Sequence, residues 1–257
     1  MSIVVNSAFF SVKDFEIVKD ISIEIMPGEL LTVLGPNGSG KSTLLKLISG
    51  DIIPTKGEIF IDSEPLKTIS IKRRALKRSV MSQSQQIMYD FSVKDIIRMG
   101  WLNDLKNKSN FNFLNILKDV SSECKISHLL NRSINNLSGG EQRRVHFARA
   151  LIQLKNDLNN QDNKYMLLDE PTANLDISYE LNLIKILKKE VSNGIGVFLI
   201  LHDLNLALNF SDKIALLKEG RLVEFGQPMR IFNDKTLSEI YDTPISVDLI
   251  SKRVNYY

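Results

Sequence analysis

A glycine-rich stretch, GPNGSGKST at residues 35–43, is the densest group of residues in this sequence that could do chemistry. It fits the pattern G-x-x-x-x-G-K-[ST], whose curled backbone turns successive N–H groups toward the phosphates of a nucleotide. Lys41 can place its ammonium group between two phosphates, and Ser42 can offer its hydroxyl to Mg²⁺. We expect the whole stretch to line a nucleotide: Gly35, Pro36, Asn37, Gly38, Ser39, Gly40, Lys41, Ser42 and Thr43.

Two adjacent carboxylates, Asp169 and Glu170, end the apolar run in YMLLDEP at residues 165–171. A strand that ends in this way places its polar residues at the sheet edge where ligands bind. Asp169 could hold Mg²⁺, and Glu170 could orient or deprotonate an attacking water. Taken alone, such a pair is more often a helix N-terminal charge, but the upstream phosphate loop favours the catalytic interpretation.

Two further groups could contact phosphate. His202 follows a third apolar run, in FLILHDLN, and its imidazole could reach a γ-phosphate. The turn Ser138-Gly139-Gly140 opens an amphipathic helix, so its exposed N–H groups and hydroxyl form another anion site. This second site lacks a lysine and cannot be a complete nucleotide site. His128 and His146 lack such surroundings, and we expect both on a lobe or a helix face.

Short apolar runs without alternation predict strands that are buried on both faces of a parallel sheet, at Leu30–Leu34, Tyr165–Leu168 and Val197–Leu201. Alternation within residues 2–34 predicts antiparallel strands that end at a turn at Pro27-Gly28, and Gly57–Ile61 predicts another strand.

Helical patterns lie at Lys41–Ser49, Gly140–Leu154 and Tyr179–Val191. In the second of these, Arg143 and Arg144 are expected on the polar face. Residues from about 88 to 136 predict an inserted helical lobe. We therefore expect one α/β domain over residues 1–257, with a parallel-sheet core, an N-terminal antiparallel β subdomain and an inserted helical subdomain.

The composition is that of an ordinary globular chain of 257 residues, in which 33 Lys and Arg balance 30 Asp and Glu. The resulting charge of +3 does not favour nucleic acid as a partner. No apolar run approaches the roughly 20 residues that span a bilayer, and we find no signal peptide. The single cysteine, Cys124, is expected to be a small buried hydrophobe. These features together predict a cytoplasmic protein.

In their order along the chain, these motifs resemble those of the ATP-binding subunits of ABC transporters, and the resemblance covers nearly the whole sequence. GPNGSGKST resembles the family's Walker A motif, LSGGE at 137–141 its signature, and YMLLDEP its Walker B with the catalytic glutamate. Ala173–Asp176, ANLD, matches the D-loop, His202 the switch histidine, and Gln83 the Q-loop glutamine. The resemblance implies a P-loop NTPase fold with a RecA-like core.

The family's mechanism implies that two copies pair head-to-tail, so that Ser138 and Gly140 of one chain cap the ATP held by Lys41 of the other. ATP closes this homodimer, and hydrolysis assisted by Glu170 reopens it. Gln83 serves as a Mg²⁺ ligand and as a link to the membrane partner. The implied partners are two transmembrane permease subunits and, indirectly, a periplasmic cargo-binding protein, at the cytoplasmic face of a bacterial inner membrane.

Two positions depart from the family pattern. Val12 stands about where an adenine-stacking aromatic residue is usual, and Phe10 or Phe15 is a possible substitute. Ser82 stands where relatives often have proline. The spacing to FSV at 91–93 favours Gln83 as the Q-loop residue, with Gln85 and Gln86 as alternatives.

HDLNLAL at 202–208 and GRLVEFGQP at 220–228 resemble the subfamily that imports iron chelates, haem and cobalamin. A polar loop, KNDLNNQDNK at 155–164, resembles an extra loop of the haemin importers. Loops tolerate insertions cheaply, so ferric siderophore and cobalamin remain alternative cargoes. A non-transport ABC ATPase is disfavoured because the chain has one cassette and no heptads, and the LSGGE motif argues against a P-loop kinase or GTPase.

Overall fold

The computed structural model describes residues 1–83, 89–102, 110–155 and 162–256. The strands of its central sheet are Leu30–Leu34 (β3), Arg78–Met81 (β6), Tyr165–Asp169 (β7), Gly196–Ile200 (β8), Lys213–Lys218 (β9) and Arg221–Gly226 (β10). Their order across the sheet is β10-β9-β3-β8-β7-β6. All neighbours pair in parallel except β10, which is antiparallel to β9. The predicted parallel core is confirmed.

A second sheet is formed by Ile3–Val12 (β1), Phe15–Ile25 (β2), Lys56–Ile61 (β4) and Glu64–Pro65 (β5). Its order is β2-β1-β4-β5, and all of its pairs are antiparallel. This is the predicted N-terminal β subdomain. The antiparallel part ends at Ile25, because the chain then enters the parallel sheet as β3.

The helices of the described residues are Lys41–Ser49 (α1), Ile71–Lys77 (α2), Val93–Arg98 (α3), Asn110–Glu123 (α4), Gly139–Leu154 (α5), Ile177–Ser192 (α6), Leu204–Phe210 (α7), Pro228–Ile231 (α8) and Asp234–Tyr241 (α9). Two strands, Ile245–Asp248 (β11) and Arg253–Tyr256 (β12), form a C-terminal hairpin. Between β6 and α5 the described chain is mainly helical, whereas the bounds of an inserted subdomain stay a prediction. None of the helices that we can describe is both long and apolar enough to span a membrane.

Both faces of the central sheet are covered by apolar side chains. In β3, Leu30 and Leu34 belong to one hydrophobic cluster, and Leu31 and Val33 belong to the other. Alternate residues of a strand point to opposite faces, so an unbroken apolar run fills two cores at once. This is why the continuous run of β3 predicted a doubly covered strand.

The prediction that Arg144 lies on the polar face of α5 is wrong. Arg144 is 8% exposed: its guanidinium stacks over the Tyr179 ring at 3.9 Å and donates to the carbonyl oxygen of Lys125 at 2.9 Å. His146 lies on this helix, in agreement with its predicted place on a helix face, and is buried at 7% exposure. Packing of α6 and the helical lobe against α5 covers a face that periodicity alone assigns to solvent. Cys124 is buried as predicted, and burial raises the pKa of its thiol.

Candidate active site

The phosphate loop joins β3 to α1 and requires two of its glycines for steric reasons. Gly35 has φ +149°, and an added Cβ would lie 2.1 Å from the carbonyl oxygen of Leu217. Gly40 has φ +97°, and its Cβ would lie 2.9 Å from the carbonyl oxygen of Ile17. The loop therefore packs directly against neighbouring main chain at both ends. Glycine permits this approach and the positive φ angles.

Lys41 begins α1 and folds back over the loop. Its Nζ donates to the carbonyl oxygens of Gly35 at 2.7 Å and Pro36 at 2.9 Å. The residue is 6% exposed, and burial lowers the pKa of its ammonium group, opposed by the nearby carboxylates of Glu170 and Asp169. A buried cation thus lies at the loop. Phosphate oxygens could replace the two carbonyl oxygens that accept hydrogen bonds from this ammonium group.

Asp169 ends β7 and is 3% exposed. Burial raises the pKa of its carboxyl group, while a hydrogen bond with the Ser42 side chain and the charge of Lys41 oppose that shift. Its Oδ1 is buried and has no hydrogen-bond partner among the described residues. An unpaired carboxylate oxygen beside a hydroxyl is a donor set that suits Mg²⁺. No group of three or more His, Cys, Asp or Glu suited to a metal occurs in the described chain.

Glu170 lies where three parallel strands end side by side. Its Oε1 is 2.6 Å from Nε2 of His202, and its Oε2 accepts from Nε2 of Gln83 at 3.0 Å. Gln83 follows β6, Glu170 follows β7 and His202 follows β8, so the strand order brings the three side chains together. The alternatives Gln85 and Gln86 lie outside the described residues, as do residues 156–161 of the polar loop.

Ser138–Gly140 lies apart from this cluster, at the N-terminus of α5. Ser138 caps the helix: its hydroxyl accepts from the N–H of Glu141, and the Glu141 carboxylate accepts from the Ser138 N–H at 2.9 Å and hydroxyl at 2.8 Å. Asp176 similarly caps α6, accepting from the N–H of Tyr179 at 3.0 Å. Within the described chain, no hydrogen bond or ion pair joins these residues to the phosphate loop.

A family model described as "ABC transporter" matches residues 18–173, which include the phosphate loop, Ser138–Gly140 and Asp169. The chain belongs to the ABC transporter family. ATPase chains of this family bind ATP and couple its hydrolysis to transport. The predicted family is therefore confirmed.

Curated relatives of this ABC chain are named "Hemin import ATP-binding protein HmuV". The protein from Hahella chejuensis is 37% identical over 88% of this chain and 86% of its own length. The protein from Rhodopseudomonas palustris strain BisB5 is 36% identical over 94% of this chain and 91% of its own length.

Solved ABC structures share the fold. A dimeric bacterial ABC transporter cassette, MJ0796, superposes with a TM-score of 0.77 at 25% identity, covering 88% of this chain and 98% of that one. A metal-chelate type ABC transporter in an inward-facing conformation gives a TM-score of 0.75 at 24% identity, over 95% of this chain and 90% of that one. The predicted α/β ABC ATPase fold is confirmed.

The β1–β2 hairpin of this ABC chain ends beside the phosphate loop, because Ile17 of β2 approaches Gly40. Val12 pairs with Phe15 across the hairpin. Phe15 is 72% exposed, whereas Phe10 is partly buried against the hydrophobic core. Only Phe15 of these two aromatic residues presents a largely free ring surface.

Arg143 is the residue of this site that the sequence analysis missed. The side chain is half-buried, and its Nη1 donates to the main-chain oxygen of Glu170, while Nη2 donates to that of Gln83 at 3.4 Å. Its place one turn after Ser138–Gly140, on the helix that passes the end of β7, is the signal that could have identified it.

Proposed function

We propose that this chain is the ATP-hydrolysing subunit of an importer that takes up haemin across a bacterial inner membrane. The observation that carries the hydrolytic part is the contact of Glu170 with both Gln83 and His202, beside the phosphate loop. The names of relatives at 37% and 36% identity, over most of both chains, support haemin as the cargo.

The phosphate loop binds the ATP phosphates in this proposal. Lys41 exchanges its contacts with two loop carbonyls for contacts with β- and γ-phosphate oxygens. Ser39 supports this, since its buried Oγ has no partner in the described chain. Residues Gly35–Thr43 supply backbone N–H groups, and the N-terminus of α1 adds partial positive charge.

Asp169, Ser42 and Gln83 are the proposed Mg²⁺ ligands. The buried, unpaired Oδ1 of Asp169 beside the Ser42 hydroxyl supports this choice. Gln83 keeps its amide oxygen available, because its contact with Glu170 uses the amide nitrogen. When bound, Mg²⁺ would neutralise charge on the phosphate oxygens.

Glu170 is the proposed general base, which orients and deprotonates the water that attacks the γ-phosphate. His202 fixes one carboxylate oxygen through the 2.6 Å contact, and its side chain is half-exposed. Gln83 fixes the other oxygen. A carboxylate with both oxygens fixed is preorganised for proton abstraction.

A homodimer completes each site in this proposal. Ser138, Gly139, Gly140 and Asp176 begin exposed helix N-termini, which supports a role in capping ATP held by a second copy. The whole chain then acts as one nucleotide-binding domain with a helical subdomain at about 88–136. Its further partners are two transmembrane permease subunits and, indirectly, a periplasmic haemin-binding protein, which places it peripherally at the cytoplasmic membrane face.

Growth of a strain lacking this gene tests the cargo. With haemin as the sole iron supplement we expect no growth, restored by the wild-type gene but not by Glu170→Gln, which keeps ATP binding and loses the base. Growth on a ferric siderophore and dependence on cobalamin should be unaffected. Normal growth on haemin with loss on either other compound would refute haemin as the cargo.

Gel filtration of Glu170→Gln tests the dimer separately. With ATP and Mg²⁺ this variant should elute as a dimer, because binding closes the two chains and hydrolysis cannot reopen them. The wild-type chain, which hydrolyses its ATP, is the control. A purely monomeric Glu170→Gln protein at saturating ATP would contradict the dimeric mechanism.

A further inference from the structure

Arg143 holds the main chain of two residues that also contact each other. Its guanidinium donates to the carbonyl oxygens of Glu170 and Gln83, and these two residues share a side-chain hydrogen bond of 3.0 Å. One side chain therefore binds the main chain of both residues whose side chains bind each other. The requirement is two N–H donors held in a plane, which arginine provides and lysine does not.

The backbone of Glu170 is the part of this arrangement that needs support. Its φ of +49° lies in the left-handed region, which residues with a Cβ rarely adopt. Its N–H donates to the carbonyl oxygen of Ile200, and its own carbonyl accepts from the N–H of Ala173, both at 3.2 Å. Arg143 adds a charge-assisted bond to that carbonyl, which favours the strained conformation.

The positive charge of Arg143 is complementary to the two carboxylates near it, those of Glu170 and Asp169. Burial lowers the pKa of its guanidinium, whereas the carboxylates of Glu170 and Asp169 oppose that shift, so the group remains cationic at neutral pH. A half-buried cation beside two carboxylates is oriented by them as well as by its hydrogen bonds. Arg143 therefore has a defined geometry at the site rather than a free, solvated one.

We propose that Arg143 is a positioning residue that holds Glu170 and Gln83 at a fixed position relative to the first turn of α5. The inference rests on the proposed function for its consequence: α5 begins at the segment that caps the nucleotide of the second copy. Arg143 thus links the capping segment of one ATP site to the general base of the other. Nucleotide bound across the dimer and the orientation of Glu170 then depend on each other.

The test compares Arg143→Gln with the wild type as full-length purified chains. We expect kcat for ATP hydrolysis to fall on the order of 10- to 100-fold, as for a misplaced catalytic group, with nearly unchanged ATP affinity. Hydrogen exchange should become faster in residues 169–175, because the turn at Glu170 loses a bond. Arg143→Lys should recover part of kcat, since one ammonium can reach one of the two oxygens.

Arg149→Gln is the matched control. Arg149 is also a half-buried arginine of α5, and it donates to the carbonyl oxygen of Val80 at 3.3 Å instead of to the site. This variant should keep the wild-type kcat and exchange pattern in residues 169–175. If Arg143→Gln and Arg143→Lys match the wild type in both measurements, the inference is overturned. A wild-type chain without ATPase activity, but with faster exchange in Arg143→Gln, would refute the proposed function and leave the positioning role supported.

Discussion

Replacing Lys41 by alanine tests the phosphate loop most directly. The ammonium group already has two acceptors within the chain, the carbonyl oxygens of Gly35 at 2.7 Å and Pro36 at 2.9 Å. A hydrogen bond from a charged donor contributes about 1.5–3 kcal/mol. ATP binding exchanges two such bonds for two stronger ones to charged oxygens, so the net gain is smaller than their sum. We estimate it as on the order of 2–3 kcal/mol, or a loss of about 30- to 150-fold in affinity for Lys41→Ala.

Titration calorimetry with ATP and Mg²⁺ measures this loss, and Lys46→Ala is the control. Lys46 is exposed on the same helix, so its removal changes the net charge equally without touching the loop. Stability should change little in Lys41→Ala, because two lost hydrogen bonds are offset by removing a desolvated charge. Thermal unfolding of both variants checks this point.

Wild-type ATP affinities in both Lys41→Ala and Lys46→Ala would refute the reasoning. They would mean that the ammonium group of Lys41 serves only the two loop carbonyls and that the nucleotide binds without it. Affinity that falls equally in both variants would indicate a general electrostatic effect, which addition of salt would weaken.

Two further predictions concern stability and are measured by urea unfolding. Gly35→Ala should lower the free energy of unfolding more than Gly38→Ala. Both place alanine at a positive φ, which costs on the order of 1–3 kcal/mol, but only at Gly35 does the added methyl meet the Leu217 carbonyl, whereas Gly38 has open space. Equal losses would contradict the steric argument. Burial lowers the pKa of His146 to about 4. As the pH falls below about 6.5 the unfolded chain therefore gains a proton that the folded chain excludes, and about 2 kcal/mol of stability should be lost between pH 7 and pH 5. His146→Gln should remove that part of the pH dependence, and an unchanged profile would show that other groups cause it.

Motifs with fixed spacing made much of the site predictable. Residues 35–43 need their glycines and lysine close together in sequence, because one turn of backbone forms the whole loop. Glu170 and His202 could be placed at the candidate site because both follow strands with continuous apolar runs. The residues that follow parallel strands lie at the same edge of the sheet. A residue's place directly after such a strand therefore also predicts its place in the fold.

Contacts between distant elements could not be predicted in the same way. Arg144 and His146 are polar residues on a helix that is covered on more sides than its periodicity indicates. Strand β6 also escaped prediction, since Arg78–Met81 is short and half polar. It lies at the edge of the sheet, where continuous apolar patterning is not required. Without β6, the position of Gln83 beside Glu170 depends on the resemblance to relatives alone.

The carboxylate of Glu141 would compete with external anions for the N-terminus of its own helix, α5. It lies at the N-terminus of α5, where it accepts from the N–H of Ser138 at 2.9 Å and from the Ser138 hydroxyl at 2.8 Å. A free phosphate, sulfate or loose nucleotide has to displace an acid that is tethered within the same turn, and tethering gives that acid a high effective concentration. In the proposed dimer, a phosphate held on the second chain is also presented at a high effective concentration and would compete with Glu141 on similar terms. In that dimer the exposed start of α5 would therefore discriminate between an anion in solution and one that arrives on the second chain.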